Sequence, residues 1–260
     1  MQAQSIYIDH PSALHQLNPL TKLTFTLVFL VAAFALPNAV ALIATFVLIL
    51  VPLAASGGLL LPLLRSAFWL VLPFAISLAL IQGFFSPGQT ALFSLGPFTM
   101  TLEGLGSGLT FAARLLLALG GTLLLMLSTR PDKLMLALRQ RGLPESLSYI
   151  VLTALQIFPR FQERARTILD AQKSRGLETE VGLLRRLALL VPLIAPLVLG
   201  SIVEVEERAM ALEARAFSYK TIKTSWISLE DSRAQSILRA AILFFGVVLV
   251  YLRLTGFWPQ

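Results

Sequence analysis

Apolar residues dominate five stretches of the chain, and each stretch is long enough, or nearly so, to cross a membrane as a helix. A membrane-spanning helix needs about 20 predominantly apolar residues. The first two stretches are slightly short and are separated by Pro37 and Asn38, which predicts a tight helical hairpin. The five predicted spans are 22–36, 39–55, 65–85, 103–128 and 236–254.

Between the last two predicted spans, the pattern changes to amphipathic helices. Pro131 suits the first turn of one helix, and a second helix places six apolar residues on one face. Residues 182–201 contain two prolines and an apolar core of only about 14 residues, which is short for a span. We therefore predict a packed or interfacial helix there and a separate helix over 202–217. The six residues of the apolar face are Leu147, Ile150, Val151, Ala154, Leu155 and Phe158.

Charge divides the chain into three parts. Between Arg130 and Arg239 lie 17 of the 21 lysines and arginines and 12 of the 14 acidic residues. A basic excess beside membrane spans marks the cytoplasmic side, so we predict a cytoplasmic N-terminus and a helical cytoplasmic domain over 130–235. The other predicted domains are 1–129, with four transmembrane helices, and 236–260, with the last transmembrane helix and the C-terminus.

Composition predicts an all-α polytopic membrane protein in a lipid bilayer. The 260-residue chain is 56% hydrophobic and 13% charged, with a mean hydropathy of +0.78. Soluble domains contain about 25% charged residues. There is no cysteine, no phosphate-binding Gly-x-x-x-x-Gly-Lys-Ser/Thr loop and no His-Glu-x-x-His zinc motif. Acidic residues interleave with the basic ones, and no nucleic-acid-recognition motif occurs. We therefore expect no nucleic-acid partner.

Two short segments repeat one pattern at the ends of predicted cytoplasmic helices. "AQKSRGLE" begins at Ala171, "ALEARAFS" begins at Ala211, and each places an arginine, Arg175 or Arg215, between small residues. Small neighbours let a helix end enter a groove, where a guanidinium binds carboxylates or carbonyls. A cation there also meets the negative end of the helix dipole. The pattern indicates either docking sites or two ordinary solvated helix caps. The small neighbours are Ser174, Gly176, Ala214 and Ala216.

Two features of the fourth predicted span leave alternatives open. Arg114 is the one charge deep in a predicted span, where a charged side chain costs about 3 kcal/mol or more unless it is paired or hydrated. It either faces a partner subunit or polar cavity, or hydrogen-bonds carbonyls or Gln82 within the bundle. Gly104 and Gly108 allow another helix to approach closely, and that helix belongs either to this chain or to a partner.

Several motifs, in this order, resemble the transmembrane T component of energy-coupling-factor (ECF) transporters, which are ABC-type importers of vitamins and metal ions. The segment "LHQLNPLTKL" (14–23) resembles the family's N-terminal motif. It keeps Pro19 and Lys22, whereas Asn18 and Leu20 replace a usual Asp and Arg. The other matching segments are "STRPDKLMLALRQRGLP" (128–144), "AQKSRG" (171–176), "LVPLIAPLV" (190–198) and "ALEARAF" (211–217).

The resemblance implies a coupling role without catalysis. In this family, two signature helices dock into grooves of two ABC ATPase subunits, and the T component also grips a substrate-binding membrane S component. ATP is then bound by the partner subunits, and this chain has no cofactor or metal of its own. The apolar face of the 144–200 helices covers the S component, and the complex lies in the cell membrane of a prokaryote. The implied ATPase-docking residues are Arg175, Arg215, Ala171, Ser174, Gly176, Ala211, Ala214 and Ala216, the last in place of a usual glycine.

Three rival functions are less well matched by the residues. A secondary carrier needs ionisable or unwound sites at mid-membrane and usually has internal repeats, and neither is evident. A conventional ABC permease subunit binds substrate itself and typically has one coupling loop, not two Arg-tipped helices. An intramembrane enzyme needs a catalytic constellation, and none is evident. The predicted function is therefore the T component, with a vitamin or metal ion as the cargo of the complex.

Overall fold

By packing, the chain forms two compact units. One, which we call the membrane unit, is Met1–Leu143 with Leu229–Gln260. The other, which we call the inserted unit, is Pro144–Ser228 and interrupts the first in the sequence. Structural statements below concern the residues that the computed structural model describes, which are 12–86, 88–95, 98–175, 183–217, 219, 229 and 231–255.

Helices make up most of both units. Those of the inserted unit are α8 (Glu145–Ser174) and α9 (Leu183–Ala214). Those of the membrane unit are α1 (Ala13–Gln16), α2 (Pro19–Ala35), α3 (Ala39–Thr45), α4 (Val51–Ser56), α5 (Leu60–Phe85), α6 (Leu102–Ser128), α7 (Pro131–Gln140) and α10 (Arg233–Leu254). A π-helical turn over Phe46–Leu50 joins α3 to α4.

Four described helical stretches are long and apolar enough to cross a membrane, and α2 is a shorter apolar helix of 17 residues. This confirms the predicted all-α polytopic membrane protein, and the apolar pattern located these five apolar stretches. The helix that the sequence placed over 22–36 begins three residues earlier, because Asn18 caps it and Pro19 occupies its first turn. The four longer stretches are Ala39–Ser56, Leu60–Phe85, Leu102–Ser128 and Arg233–Leu254.

The core of the membrane unit forms around α6. Its glycines let neighbouring helices approach closely: a Cβ atom on Gly120 would lie 2.8 Å from the Phe46 ring, and one on Gly121 would lie 3.1 Å from the Phe29 Cβ. Close approach maximises the van der Waals contact on which helix association in membranes depends. The largest fully buried side chains are Leu42, Leu50, Leu59, Leu63, Leu117 and Thr21.

The Gly104–Gly108 pair packs within the chain. A Cβ atom on Gly108 would lie 2.9 Å from the Ala79 Cα, and one on Gly104 would clash with the Gln82 carbonyl oxygen. Both neighbours belong to α5. Of the two alternatives for this pair, the structure therefore shows the intrachain contact between α5 and α6.

The segment between α5 and α6 contains a short hairpin that the sequence pattern did not predict. Strands β1 (Ala91–Leu95) and β2 (Phe98–Thr101) pair antiparallel. The Thr101 hydroxyl then caps α6 by accepting a hydrogen bond from the Gly104 N–H at 3.2 Å. The strands are four and five residues long, too short for their period-two pattern to stand out from the apolar spans on either side.

Helix α9 corrects the prediction of two separate helices over 182–201 and 202–217. It runs without interruption from Leu183 to Ala214 and passes through both Pro192 and Pro196. A proline removes one backbone donor and strains the turn before it. Because the two prolines are four residues apart, both missing hydrogen bonds fall on the same side of the helix. The other side retains its backbone hydrogen bonds.

By packing, α7 belongs to the membrane unit because it contacts α2. Charge instead placed its residues in the predicted cytoplasmic domain over 130–235. The two assignments describe different properties, since a cytoplasmic helix can pack against the end of a membrane bundle. The boundaries of the predicted domain therefore stay a prediction.

Candidate functional site

The first arginine motif ends α8. Arg175 is the C-cap residue, and its backbone N–H donates a hydrogen bond to the Gln172 carbonyl at 3.0 Å. The Ser174 hydroxyl donates back to the Asp170 carbonyl at 3.1 Å. Ala171, Ser174 and Arg175 are exposed, while Gly176 lies outside the described residues.

The second arginine motif ends α9 in a Schellman turn. The Phe217 N–H donates to the Leu212 carbonyl at 2.9 Å, and the Ala216 N–H donates to the Glu213 carbonyl at 2.8 Å. Ala216 takes the left-handed conformation at φ 55°, which glycine adopts without strain and alanine does not. This geometry favours glycine at the position after the arginine. Three other residues of the motif, Ala211, Ala214 and Arg215, are exposed.

Among the described residues, neither motif arginine has a partner for its guanidinium group. Neither Arg175 nor Arg215 forms an ion pair or side-chain hydrogen bond with any described residue. Two other arginines of the inserted unit do pair: Arg164 lies 3.2 Å from a Glu204 carboxylate oxygen, and Arg208 lies 2.9 Å from the other. The unit thus satisfies arginines at the contact between its helices and leaves those at the helix ends available.

The two motifs lie at opposite ends of an antiparallel helix pair. Arg164 of α8 contacts Glu204 of α9, while Tyr149 near the start of α8 contacts Phe217 just beyond the end of α9, with ring centroids 5.2 Å apart. The order of the contacts is reversed between the helices, so they run in opposite directions. From residue 149 to residue 175, α8 rises by about 39 Å at 1.5 Å per residue. The Arg175 and Arg215 ends are therefore far apart.

The inserted unit exposes its apolar face. All six residues that the sequence placed on one face of α8 are exposed, and α9 adds further exposed apolar residues, including Ile194, Val198 and Ile202. Within 144–175 and 194–217, where the structure describes burial, Ser148 alone is buried. Exposed apolar surface of this extent marks an interaction site.

Comparison with known proteins identifies the family. Residues 10–226 match the family model CbiQ, described as cobalt transport protein. The chain belongs to the CbiQ family. A protein of Heliobacterium modesticaldum named energy-coupling factor transporter transmembrane protein EcfT is 34% identical over 222 residues, covering 81% of this chain and 82% of that protein.

Further relatives share that name. The EcfT protein of Listeria innocua is 31% identical over 259 residues, covering 95% of this chain and 96% of its own length. The EcfT protein of Leuconostoc gelidum is 29% identical over 254 residues, covering 93% of each chain. These matches confirm the resemblance to the EcfT/CbiQ-like T component, and with the apolar helices they make this chain a multi-pass membrane protein of a prokaryote.

The N-terminal motif of this CbiQ-family chain joins two membrane helices. Lys22 is 6% exposed, and its ammonium donates a hydrogen bond at 2.8 Å to the carbonyl of Ser128, the last residue of α6. A cation at a helix C-terminus is favourable. Asn18, which replaces a usual Asp, still caps α2 by accepting a hydrogen bond from the Leu20 N–H at 3.0 Å. The motif therefore has a structural role here that does not need the lost charge.

Arg114 lies near the middle of α6 and has no hydrogen-bond acceptor among the described residues. Its guanidinium carbon lies 5.3 Å from the centre of the Phe111 ring, and its Nε atom is buried without a partner. No hydrogen bond joins it to Gln82 or to a carbonyl of any described residue. The intrachain pairing that the sequence analysis considered is therefore not what the structure shows.

Sequence reasoning missed one charged cluster. Asp231 forms ion pairs of 2.6 Å with both Arg239 of α10 and Arg141, which follows α7. The hydrogen bond from Arg239 lowers the pKa of the Asp231 carboxyl, desolvation opposes that shift, and Arg141 adds to the lowering. Arg141 and Asp231 are 90 positions apart, so no local sequence pattern predicts their contact. The cluster ties together the two points where the chain leaves and re-enters the membrane unit.

Histidine and acidic side chains do not converge on a metal site in the part of the chain that the structure describes. The arrangement instead offers two separate cationic helix ends and an exposed apolar face. These are features suited to binding other proteins.

Proposed function

We propose that this chain is the coupling subunit of an ECF-type importer. It links two ATPase subunits, one at each arginine motif, to a membrane-embedded S component that binds the substrate. The observation that carries the proposal is the placement of two exposed arginines, without partners among the described residues, at opposite ends of one antiparallel helix pair. ATP is bound and hydrolysed by the partner subunits, and this chain has no cofactor of its own.

The separation of the motifs favours two docking partners. A length of about 39 Å exceeds the roughly 30 Å diameter of a small domain. A single small partner therefore cannot seat both ends in its grooves, whereas a pair of ATPase subunits offers one groove to each. At each end, the planar guanidinium binds carboxylates or carbonyls through its fork of donors. The exposed small residues beside Arg175 and Arg215 leave room for the walls of such a groove.

The exposed apolar face supports the S component as the third partner. Leu147 is 49% exposed, Ile150 is 59% exposed and Phe158 is 65% exposed, and all three lie on one side of α8. These side chains find no cover within the described part of the inserted unit. A membrane protein with an apolar surface of its own is a suitable cover for them.

Coupling follows from the length of the helices. The 30 residues of α8 and the 32 residues of α9 span about 45 Å and 48 Å. When the ATPases move the arginine-tipped ends of α8 and α9, these helices transmit the movement to their exposed apolar face. The contact of Glu204 with Arg164 and Arg208 holds the two helices at one point, so they move together. Movement of the face then displaces the S component, which releases a vitamin or a metal ion inside the cell.

The proposed orientation places the N-terminus and the inserted unit in the cytoplasm. The segment between α5 and α6, residues 86–101, contains no lysine or arginine, as expected for an outer loop. The natural chain lacks cysteine, so single cysteines are clean probes. Cysteines introduced at Gln89 and Gln140 should react with impermeant reagents from opposite sides of the membrane. Reaction from one side would contradict the orientation.

Co-purification tests the proposed assembly. The tagged chain, expressed with its ATPase pair and one S component, should purify with two ATPase subunits and one S component and should hydrolyse ATP. The chain purified alone should show no ATPase activity, because it has no phosphate-binding loop. Substrate binding or ATP hydrolysis by the isolated chain would contradict the proposal, as would failure of the ATPases to co-purify.

A further inference from the structure

One face of α6 combines a glycine without packing partners and an unpaired charge. Gly106, Thr110 and Arg114 are spaced by four residues, so they lie on one side of the helix. Gly106 is exposed, and Thr110 and Arg114 are half-buried. The other glycines of this turn, Gly104 and Gly108, point away from this face and pack against α5.

No packing contact within the described chain requires a glycine at position 106. A Cβ atom added there would meet nothing within 4 Å. Glycine is less favourable than alanine in a helix interior, so packing inside this chain does not explain its presence. The Thr110 hydroxyl donates a hydrogen bond at 2.8 Å to the Gly106 carbonyl, which satisfies both groups within the helix. The result is a smooth surface with small side chains, over which another helix can pass closely.

Arg114 needs an acceptor that the membrane helices of this chain do not supply. Glu103 is the one acidic residue in the described membrane-spanning helices, and it lies 11 positions before Arg114, or about 16 Å along α6. Arg114 contacts Phe111 and forms no hydrogen bond to a described residue. Charged groups inside membranes pair with one another or with other polar groups, and the described residues of this chain leave Arg114 without such a group.

We propose that the Gly106–Thr110–Arg114 face binds a transmembrane helix of the S component that presents a carboxylate or carboxamide oxygen to Arg114. The choice of the S component rests on the proposed function. The small residues allow the helix to approach, and the guanidinium fork selects a planar oxygen acceptor. A lipid phosphate is a poorer partner, because Arg114 is near the middle of the span and head groups lie at the edges of a hydrocarbon core about 30 Å thick.

The test uses the complex of this chain, its ATPase pair and one S component, purified through a tag on an ATPase subunit. Gly106→Leu fills the open space and should lower the S component retained per ATPase at least fivefold. The isolated Gly106→Leu chain should unfold at the same temperature as the wild type, because the added side chain meets no neighbour. Ser77→Leu, at an exposed position of α5, is the matched control and should leave retention unchanged.

Arg114→Gln tests the charge, and cross-linking identifies the partner. Arg114→Gln should lower retention of the S component at least fivefold while ATPase retention stays at the wild-type level. A photoreactive benzophenone side chain at Thr110 should cross-link to a transmembrane helix of the S component. Cross-linking only to lipid, or to a second copy of this chain, would overturn the inference.

The outcomes separate this inference from the proposed function. If wild-type chain brings down the ATPases and the S component but Gly106→Leu and Arg114→Gln retain the S component fully, the inference is wrong and the proposed function stands. If the wild-type chain brings down neither ATPases nor S component, the proposed function fails, and this inference fails with it.

Discussion

The membrane unit buries part of its apolar residues in a core and exposes the rest, whereas no apolar residue is buried in the inserted unit where its burial is described. In the membrane unit, Leu42, Leu50 and Leu117 are fully buried against neighbouring helices. In the inserted unit, apolar residues are as regularly spaced, yet Phe158 of α8 and Val205 of α9 remain at least 60% exposed. The same kind of helical pattern therefore builds a core in one region and an open surface in the other. Periodicity identifies an apolar face, but it does not tell which molecule covers that face.

This difference separates folding from assembly. A unit with a core supplies its own stability, whereas a unit whose apolar residues are exposed gains stability from whatever binds it. Substitutions in the membrane unit should therefore act on the isolated chain. Matched substitutions in the inserted unit should act on the complex.

The largest expected effect comes from the same substitution made in each unit. Leu117→Ala removes a fully buried side chain and should lower the free energy of unfolding of the isolated chain by about 3 kcal/mol. Leu155→Ala removes a side chain that is 48% exposed and should change that free energy by about 0.5 kcal/mol or less. Unfolding of the purified chain in mixed detergent micelles measures both. Equal losses would show that the inserted unit has a core after all.

The second prediction concerns the charged cluster that closes the membrane unit. Arg239 is 7% exposed, so Asp231→Asn leaves a buried guanidinium without its carboxylate. The substitution should lower the free energy of unfolding by about 2 kcal/mol. This is less than the loss expected for a fully buried ion pair, because Asp231 is partly exposed. Asp132→Asn, which breaks the exposed pair with Arg130, is the control and should cost about 0.5 kcal/mol or less.

The same cluster predicts a pH dependence. Because the folded-state pKa of Asp231 is lowered, its stabilising effect is fully present above the ordinary aspartate pKa of about 4 and is lost as the pH falls through the lowered value. The stability difference between wild type and Asp231→Asn should therefore shrink below about pH 4. A difference that stays constant through that range would show that the ion pairs do not stabilise the chain.

The sequence predicted the five apolar stretches and both arginine-tipped helix ends because each rests on local signals. Apolar runs marked the spans, and small residues around Arg215 marked a helix end that proved to be a Schellman turn. Contacts between distant segments were not predictable in this way. The pairing of Asp231 with Arg141 depends on how α7 and α10 pack, and the continuity of α9 through Pro192 and Pro196 depends on the whole helix.

The smallest expected effect is at the turn that holds the second motif. Ala216→Gly relieves the left-handed strain and should stabilise this helix end by about 1 kcal/mol. Ala214→Gly, two residues earlier and still helical, should instead destabilise it by up to about 1 kcal/mol. Amide hydrogen exchange of the Phe217 N–H reports both changes. Faster exchange in Ala216→Gly would contradict the assigned turn.

The most direct test of the central claim is the loss of each motif arginine. Arg175→Ala and Arg215→Ala should each weaken binding of the ATPase pair by about 2–5 kcal/mol, because in the proposed complex each substitution removes one half of a contact that binding buries and leaves the other half unpaired. The double substitution should bind more weakly than either. Arg166→Ala, at an exposed position of the same helix as Arg175, should change binding by about 0.5 kcal/mol or less. If both single changes and the double change leave ATPase binding and substrate uptake at the level of Arg166→Ala, the two motifs are ordinary helix caps and the coupling account is wrong.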